Sequence, residues 1–125
     1  MRDNIKRGQV WWYKPARGQH GSIQGGPRPV IIVSNNKCNQ HSPILLVVPC
    51  TASIKKDLPT HVIFSLDNRI NVAMTEQAGP IAVDELVNFR CTLTDEVMKK
   101  VDRALFVAFG LRSQPTEEER KDVIS

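Results

Sequence analysis

The chain has little of what a membrane-embedded or secreted protein needs. Its apolar runs are short, as in Ile44–Val48, whereas a membrane-spanning helix needs about 20 apolar residues. Residues 1–7 carry no apolar segment of the kind that forms the centre of a secretory signal peptide. We therefore expect a cytoplasmic protein without a transmembrane segment.

Cysteine is scarce as well. The three cysteines, Cys38, Cys50 and Cys91, cannot all pair within one chain. So few thiols are typical of a reducing compartment, where cysteine mostly packs as a small apolar residue. Cys38 and His41 form a Cys-x-x-His, but no second pair of ligands follows at zinc-like spacing. The sequence therefore predicts neither a disulfide framework nor a metal site, and we expect no cofactor.

Several common catalytic motifs are missing. The glycine-rich segments at residues 18–21 and 25–26 are not followed by Gly-Lys-Ser/Thr, so they do not form a phosphate-binding loop. The sequence contains neither Gly-x-Ser-x-Gly nor His-Glu-x-x-His. Nucleotide hydrolases with a phosphate loop, serine hydrolases with a nucleophile elbow and the common zinc proteases are thereby disfavoured.

What is present is the composition of an ordinary globular protein. With 41% hydrophobic and 24% charged residues in 125, the chain favours one compact domain. We place this domain at residues 1–112. Residues 113–125 are rich in charge and are predicted to be a tail or a short helix.

The net charge of +4 is unevenly distributed. Residues 1–61 hold nine Lys and Arg against two Asp, which is +7, whereas residues 62–125 carry a net −3. A basic half suits a polyanion, because Lys and Arg near phosphates displace bound counterions. The charge therefore favours nucleic acid as a partner, although a basic solvated surface would give the same count.

Hydrophobic patterning predicts short strands first and one helix late. β-branched and aliphatic runs bounded by Gly, Pro, Asn and Ser are typical of buried strands. The predicted strands are Gln9–Tyr13, Pro29–Val33, Ile44–Val48, His61–Phe64, Asn71–Thr75 and a last one around Leu86–Cys91. The connections between them are a flexible loop over Pro15–Pro27, a polar turn over Asn35–Gln40 and a turn at Asp67-Asn68.

The pattern changes at Thr94, which is a good N-cap followed by Asp95 and Glu96 in the first helical turn. Apolar residues then recur at helical spacing up to Gly110, a natural helix stop. About six strands and one terminal helix predict a mainly β fold, a small and strongly bent sheet or barrel whose loops carry the function.

Arg28 and Thr51 are the polar residues best placed for chemistry. Pro27 and Pro29 restrict the backbone around Arg28 where the glycine-rich loop meets a buried strand, so its guanidinium has a rigid base for binding a phosphate. A surface arginine in a turn would fit the same local pattern. Thr51 ends a strand, where threonine commonly serves as a turn cap. In the Trp11–Tyr13 segment at least one aromatic ring must face the core, but the others could stack on bases.

The order of several motifs resembles the MazF/PemK family of toxin endoribonucleases. The similar segments are Lys6–Trp11, Gly21–Val30, Val48–Thr51, Leu58–Val62 and Glu76-Gln77. The resemblance implies a small α+β fold, a PemK/CcdB-type β-barrel with a C-terminal helix, which works as a homodimer. It also implies metal-independent cleavage of single-stranded mRNA by attack of the 2′-hydroxyl, and inhibition by a cognate antitoxin with an acidic, disordered tail.

The same resemblance assigns roles to individual residues. Arg28 matches the arginine of the family's Arg-Pro motif and Thr51 matches its threonine, so both are expected to be catalytic. The expected RNA-binding residues are Ser22, Gln24, Lys55, Glu76 and Gln77. The proton acceptor is left between His20 and Glu76.

Two alternatives stay open from the sequence. One is a non-catalytic toxin with the same barrel, of the type that inhibits DNA gyrase. The other is a relative that binds RNA but has lost cleavage, which is suggested by Ile23 and Gly79, where family members often carry an acidic residue and an arginine.

Overall fold

The computed structural model describes residues 4–16, 26–53, 56–112 and 116–118. Its strands are β1 (Gln9–Tyr13), β2 (Arg28–Ile32), β3 (Ile44–Thr51), β4 (His61–Leu66), β5 (Arg69–Met74), β6 (Gly79–Ala82) and β7 (Leu86–Thr92). Its helices are α1 (Asn36–His41) and α2 (Asp95–Phe109), and short 3₁₀ turns lie at Thr75–Gln77 and Val83–Glu85. Most of the predicted Pro15–Pro27 loop and of the 113–125 tail lies outside the described residues.

The strands form one curled antiparallel sheet, a half-barrel, in the order β4-β5-β3-β2-β1-β7. The eight-residue strand β3 is its centre. Along β3, residues Ile44–Val47 pair with β6, Val47–Pro49 pair with β2, and Cys50 and Thr51 pair with β5. The mainly β fold with a C-terminal helix is thus confirmed.

Both faces of the sheet are covered, which explains the continuous apolar runs in β2 and β3. Ile31 and Val48 face one buried cluster, which packs against α2 through Val101 and Ala104. The next residues along the strands face a second cluster, made of Ile5, Tyr13, Val30, Ile32, Leu45, Val47 and Ile81. Because neighbouring side chains point to opposite faces, a strand buried on both sides has no polar alternation.

Helix α2 begins and ends where the sequence predicts. The Thr94 hydroxyl accepts a hydrogen bond from the Val97 N–H at 3.2 Å, and Asp95 and Glu96 occupy the first turn, where the helix dipole favours negative charge. Gly110 ends the helix with a φ of 64°, a left-handed conformation that glycine adopts readily. None of the helices formed by the described residues has the length and apolarity to span a bilayer.

The polar turn predicted at Asn35–Gln40 is wrong, because this segment forms helix α1. The Asn35 side chain caps α1 by accepting from the Cys38 N–H at 2.9 Å. The side chain of Asn39 is fully buried, where it donates to the Ser34 carbonyl at 2.9 Å and accepts from the Ser34 hydroxyl at 2.5 Å. These buried hydrogen bonds satisfy polar groups that composition alone assigns to a solvated turn.

Strand β6 was not predicted from sequence. It begins Gly79-Pro80, and both residue types normally mark turns. Pairing with Ile44–Val47 of β3 imposes the extended conformation, with Pro80 opposite Leu46. Tertiary pairing therefore overrides the local propensity here.

Candidate active-site cleft

One end of the half-barrel gathers the ends of five strands into an open cleft. Strands β1, β3 and β4 end there, and β2 and β5 begin there, so short segments far apart in sequence become neighbours. The cleft has a volume of about 300 Å³ and is lined by Trp12, Pro27, Arg28, Pro29, Cys50, Thr51, Ala52, Leu66, Asp67, Arg69, Asn71 and Arg90.

The sheet brings Arg28 and Thr51 to the same cleft. In the β2–β3 pair, Val30 lies opposite Pro49 and Ile31 opposite Val48, so the start of β2 and the end of β3 lie at the same end of the sheet. Arg28 is the first residue of β2 and Thr51 is the last residue of β3. Both side chains line the cleft, so the two residues predicted to be catalytic lie in one site.

The strand pairing gives Arg28 a defined position in the sheet. It is half-buried, it is the first residue of β2, and it lies opposite Tyr13 of β1. Burial raises the pKa of Tyr13, the charge of Glu85 raises it further, and the positive charge of Arg28 opposes both. The phenol beside Arg28 is accordingly neutral at physiological pH.

The Thr51 hydroxyl is oriented by its own loop. Its oxygen accepts a hydrogen bond from the Ser53 N–H at 3.1 Å, which is the turn-capping use of threonine. A hydroxyl that accepts one bond still has its O–H to donate. The cap therefore fixes the oxygen and leaves a donor for an oxyanion, so the capping and catalytic roles are compatible.

The described lining of the cleft carries a net positive charge. Among its described residues are Arg28, Arg69 and Arg90 and one carboxylate, that of Asp67. Asn71 adds an uncharged polar side chain that is almost fully buried. Three guanidinium groups around one concave surface are well suited to the phosphates of a nucleic acid, because guanidinium matches phosphate in a forked geometry.

The thiol of Cys50, which lines the cleft, is unreactive. Cys50 is fully buried, and burial strongly raises the pKa of its thiol, despite the opposing effect of Arg28. Its S–H donates weakly to the Val48 carbonyl at 3.7 Å. Because the thiolate is the nucleophilic form of cysteine, Cys50 acts as part of the wall and not as a nucleophile.

Glu76 and Gln77 lie outside the cleft lining. The Glu76 carboxylate contacts the Thr60 hydroxyl and His61 Nε2, both at 2.9 Å, and His61 Nδ1 contacts the Lys56 carbonyl at 3.0 Å. Burial alone would raise the pKa of Glu76, but hydrogen bonds from His61, its own backbone N–H and Thr60 lower it overall. In this structure Glu76 anchors the chain between β3 and β4.

Gln77 is exposed, and its side-chain amide donates to the sulfur of Met74 at 3.5 Å. The other predicted site residues cannot be placed, because His20, Ser22, Gln24 and Lys55 lie outside the described residues. Their roles stay predictions. Within the described part of the chain, no three His, Cys, Asp or Glu side chains are grouped as metal ligands.

Sequence reasoning missed four polar residues of the cleft. They are Asp67, Arg69, Asn71 and Arg90. The first three lie in or next to the β4–β5 turn, which was predicted at Asp67-Asn68. The charged residues at this predicted turn were a signal that could have identified it as part of the site. Arg90 gave no such signal, because β7 reaches the cleft through its pairing with β1 in the folded sheet, which its own sequence does not reveal.

The fold and cleft can be compared with known proteins. A family model for the PemK-like, MazF-like toxin of type II toxin-antitoxin systems matches residues 6–109. The chain belongs to this family. It is also 38% identical over 112 residues to Endoribonuclease EndoA of Bacillus subtilis (strain 168), a match that covers 86% of this chain and 96% of that protein.

Solved structures of family toxins have the same fold. An endoribonuclease from Mycobacterial species, solved in complex with its cognate antitoxin, superposes with a TM-score of 0.72 at 27% identity, covering 88% of this chain and 99% of that one. MazF from Deinococcus radiodurans also superposes with a TM-score of 0.72, at 19% identity, covering 86% of this chain and 97% of its own. The MazF/PemK resemblance inferred from sequence is confirmed.

Proposed function

We propose that this MazF/PemK-family toxin is an endoribonuclease that cleaves single-stranded mRNA without a metal ion. The observation that carries the proposal is that Arg28 and Thr51 line the same cleft, together with Arg69 and Arg90. Further support comes from the similarity to Endoribonuclease EndoA and to a mycobacterial endoribonuclease. The toxin domain spans residues 1–112.

The reaction is an internal transesterification. The ribose 2′-oxygen forms a bond to the adjacent phosphorus, the bond from phosphorus to the 5′-oxygen breaks, and that oxygen leaves with a proton. The products are a 2′,3′-cyclic phosphate and a 5′-hydroxyl. Because the attacking group is the 2′-hydroxyl, DNA is not a substrate.

Arg28 and Thr51 stabilise the charge that develops during this reaction. Negative charge accumulates on the non-bridging oxygens of the phosphorane, and a guanidinium and a hydroxyl already aimed at them bind that state better than the ground state. Removing one such donor typically costs about 10²–10³ in rate. Of the two predicted proton acceptors, Glu76 lies outside the cleft lining and contacts Thr60 and His61, so we propose His20 for this role.

The cleft also suits the partner of a toxin. The mycobacterial relative was solved with its cognate antitoxin, and we infer that this chain has one too. An acidic, disordered antitoxin tail would meet Arg28, Arg69 and Arg90 in the same cleft that holds RNA. Inhibition is then competitive, since the same charges serve both ligands.

A separate apolar surface supports a homodimer. A groove of about 530 Å³ lies between α2 and the β3–β6 pair, and Leu46, Pro80, Phe106, Phe109 and Leu111 are among its lining residues; we call it the apolar groove. The side chains of Leu46, Phe109 and Leu111 are half or more exposed. Grouped exposure of large apolar residues marks an interaction surface, and we assign it to a second copy of the chain.

The test is cleavage of a long defined RNA in excess EDTA, followed by analysis of the fragment ends. Wild type should give discrete fragments with 2′,3′-cyclic phosphate and 5′-hydroxyl ends. Arg28→Ala and Thr51→Ala should each lower the rate about 10²–10³-fold. Matched controls are Arg103→Ala on α2 and Thr92→Ala at the end of β7, both exposed and outside the cleft, which should leave the rate unchanged.

Other outcomes separate the alternatives. Binding of RNA by wild type without any product would favour the relative that has lost cleavage. Inhibition of gyrase supercoiling with RNA left intact would favour the non-catalytic toxin. Full activity of Arg28→Ala would refute the assignment of the site, even if cleavage itself is observed.

A further inference from the structure

Three elements that are distant in sequence meet at the rim of the cleft. They supply Trp12 from β1, Arg90 from β7 and Asp67 from the β4–β5 turn. The Arg90 guanidinium lies over the Trp12 ring, 5.9 Å from its centroid, and also forms an ion pair with the Asp67 carboxylate. All three residues line the cleft that contains Arg28 and Thr51. We call them the rim cluster.

The position of Arg90 results from a β-bulge. Val10 lies opposite Cys91 in the β1–β7 pair, but the next residue, Trp11, lies opposite Phe89, so Arg90 is the extra residue of β7. A bulge bends its strand and redirects the side chain of the extra residue, and bulges are common beside active sites. Arg90 is this extra residue, and its guanidinium lies near the ring of Trp12, which is itself opposite Asn88 in the pair.

Asp67 is held by a tight turn. Leu66 lies opposite Arg69, so only Asp67 and Asn68 connect β4 and β5. Both have positive φ angles, 51° and 63°, the conformation of a type I′ hairpin turn. Such a turn has little freedom, and non-glycine residues pay a conformational cost to adopt it. The carboxylate that holds Arg90 therefore stands on a rigid support.

The rim cluster presents a flat group to the cleft. The Arg90 guanidinium lies over the Trp12 ring at 5.9 Å from its centroid, within the range of a cation–π contact. The Arg90 side chain is 33% exposed and lines the cleft, so part of its planar group is accessible from there. Unstacked RNA bases commonly stack on aromatic rings or on arginine planes, and arginine also donates hydrogen bonds to base edges.

We propose that the rim cluster is a nucleobase subsite, in which Arg90 stacks on and hydrogen-bonds one base next to the scissile phosphate. Trp12 supports the guanidinium through its cation–π contact, and Asp67 is the positioning residue that fixes the guanidinium. The subsite sets a base preference at one position of the cleaved sequence. This inference rests on the proposed endoribonuclease function, because it deepens the role of the same cleft.

The experiment measures cleavage-site preference on an RNA pool with randomised sequence, by sequencing the fragment ends. The proteins compared are wild type, Arg90→Ala, Arg90→Lys, Asp67→Asn and the control Arg103→Ala. Each is checked for an unchanged thermal unfolding midpoint. Arg90→Ala should reduce discrimination at one position beside the cut by about ten- to a hundredfold and leave the other positions unchanged.

The conservative variants separate stacking from charge. Arg90→Lys keeps the charge but loses the planar group, so it should relax the same position as Arg90→Ala does. Asp67→Asn should relax that position partially, because the guanidinium loses its anchor. An unchanged preference in Arg90→Ala, with or without a uniformly slower rate, would overturn the subsite. Loss of cleavage in Asp67→Asn with a flattened acid limb of the pH profile would also overturn it, since Asp67 would then be the proton acceptor.

A binding measurement keeps the two proposals distinguishable. Wild type and Arg90→Ala are titrated with single-stranded RNA homopolymers of each base, following quenching of tryptophan fluorescence. Wild type should distinguish the homopolymers, and Arg90→Ala should lose that distinction. A wild type that never cleaves would refute the proposed function alone, because the titration still tests the subsite. If the ratios of the dissociation constants for the four homopolymers were the same in wild type and Arg90→Ala, the subsite alone would be refuted.

Discussion

Replacing Glu85 should destabilise the fold more than any change at the neighbouring surface. Glu85 lies in the 3₁₀ turn before β7, is only 6% exposed, and accepts hydrogen bonds from the Ala82 N–H at 2.8 Å and the Ala16 N–H at 2.9 Å. Its carbonyl also accepts from the Lys14 N–H at 2.9 Å. The residue thereby joins the chain that leaves β1 to the chain that enters β7.

The magnitude follows from those contacts. A hydrogen bond to a charged group contributes about 1.5–3 kcal/mol, and Glu85→Ala removes two of them while leaving two amide donors without acceptors. Water that enters the vacated space restores part of the loss, so we expect the free energy of unfolding to fall by about 3 kcal/mol. Glu85→Gln keeps one acceptor oxygen and should lose about half as much.

The assay is urea unfolding followed by tryptophan fluorescence, with the slope m checked for constancy. The matched control is Asp84→Ala, an exposed carboxylate in the same turn, which should change the unfolding free energy by less than about 0.5 kcal/mol. A Glu85→Ala protein within about 0.5 kcal/mol of wild type would refute the argument. The two amides would then have found other acceptors without cost.

Two further predictions concern the anchor at Glu76 and the apolar groove. The lowered pKa of Glu76 means that its carboxylate stabilises the fold at pH values above the ordinary carboxyl pKa of about 4.3. This stability is lost as the pH falls through the lowered pKa. In urea titrations at a series of pH values, Glu76→Gln should therefore lose less unfolding free energy on acidification than wild type does. An equal loss in the variant would contradict this. Phe109→Glu, at an exposed position of the apolar groove, should raise the dimer dissociation constant by at least tenfold in sedimentation equilibrium, whereas Arg112→Glu outside the groove should not. Equal dissociation constants would place the dimer interface elsewhere.

The tests of Arg28, Thr51 and the rim cluster differ from these in what they measure. They report cleavage rate and base preference, whereas the variants at Glu85, Glu76 and Phe109 report stability and assembly. A variant that changes cleavage rate or base preference but not stability or assembly assigns its residue to the cleft. A variant with the opposite result assigns its residue to the scaffold.

Local pattern was enough for much of the fold. Strand β1 was predicted with its observed bounds, and Thr94 and Gly110 delimit α2 as expected. These features depend on neighbours in sequence: side-chain alternation or continuity, a capping hydroxyl and a residue that tolerates positive φ. Helix α1 and strand β6 were not found, because the burial of Asn39 and the pairing of Gly79-Pro80 with β3 come from residues elsewhere in the chain.

The residues of the cleft, too, were predictable from sequence only in part. The sequence by itself determined that Arg28 stands beside prolines at the start of a strand and that Thr51 ends one, and its ordered motifs pointed to the MazF/PemK family. Only the tertiary structure decided that the start of β2 and the end of β3 meet, so that both residues line one cleft. Only it brought Arg90, the extra residue of a bulge, close to Trp12 and into an ion pair with Asp67. The physical reason is that a residue's functional group and its local backbone conformation depend on the residue and its sequence neighbours. The distance between two side chains is set by strand pairing, which depends on the whole sheet.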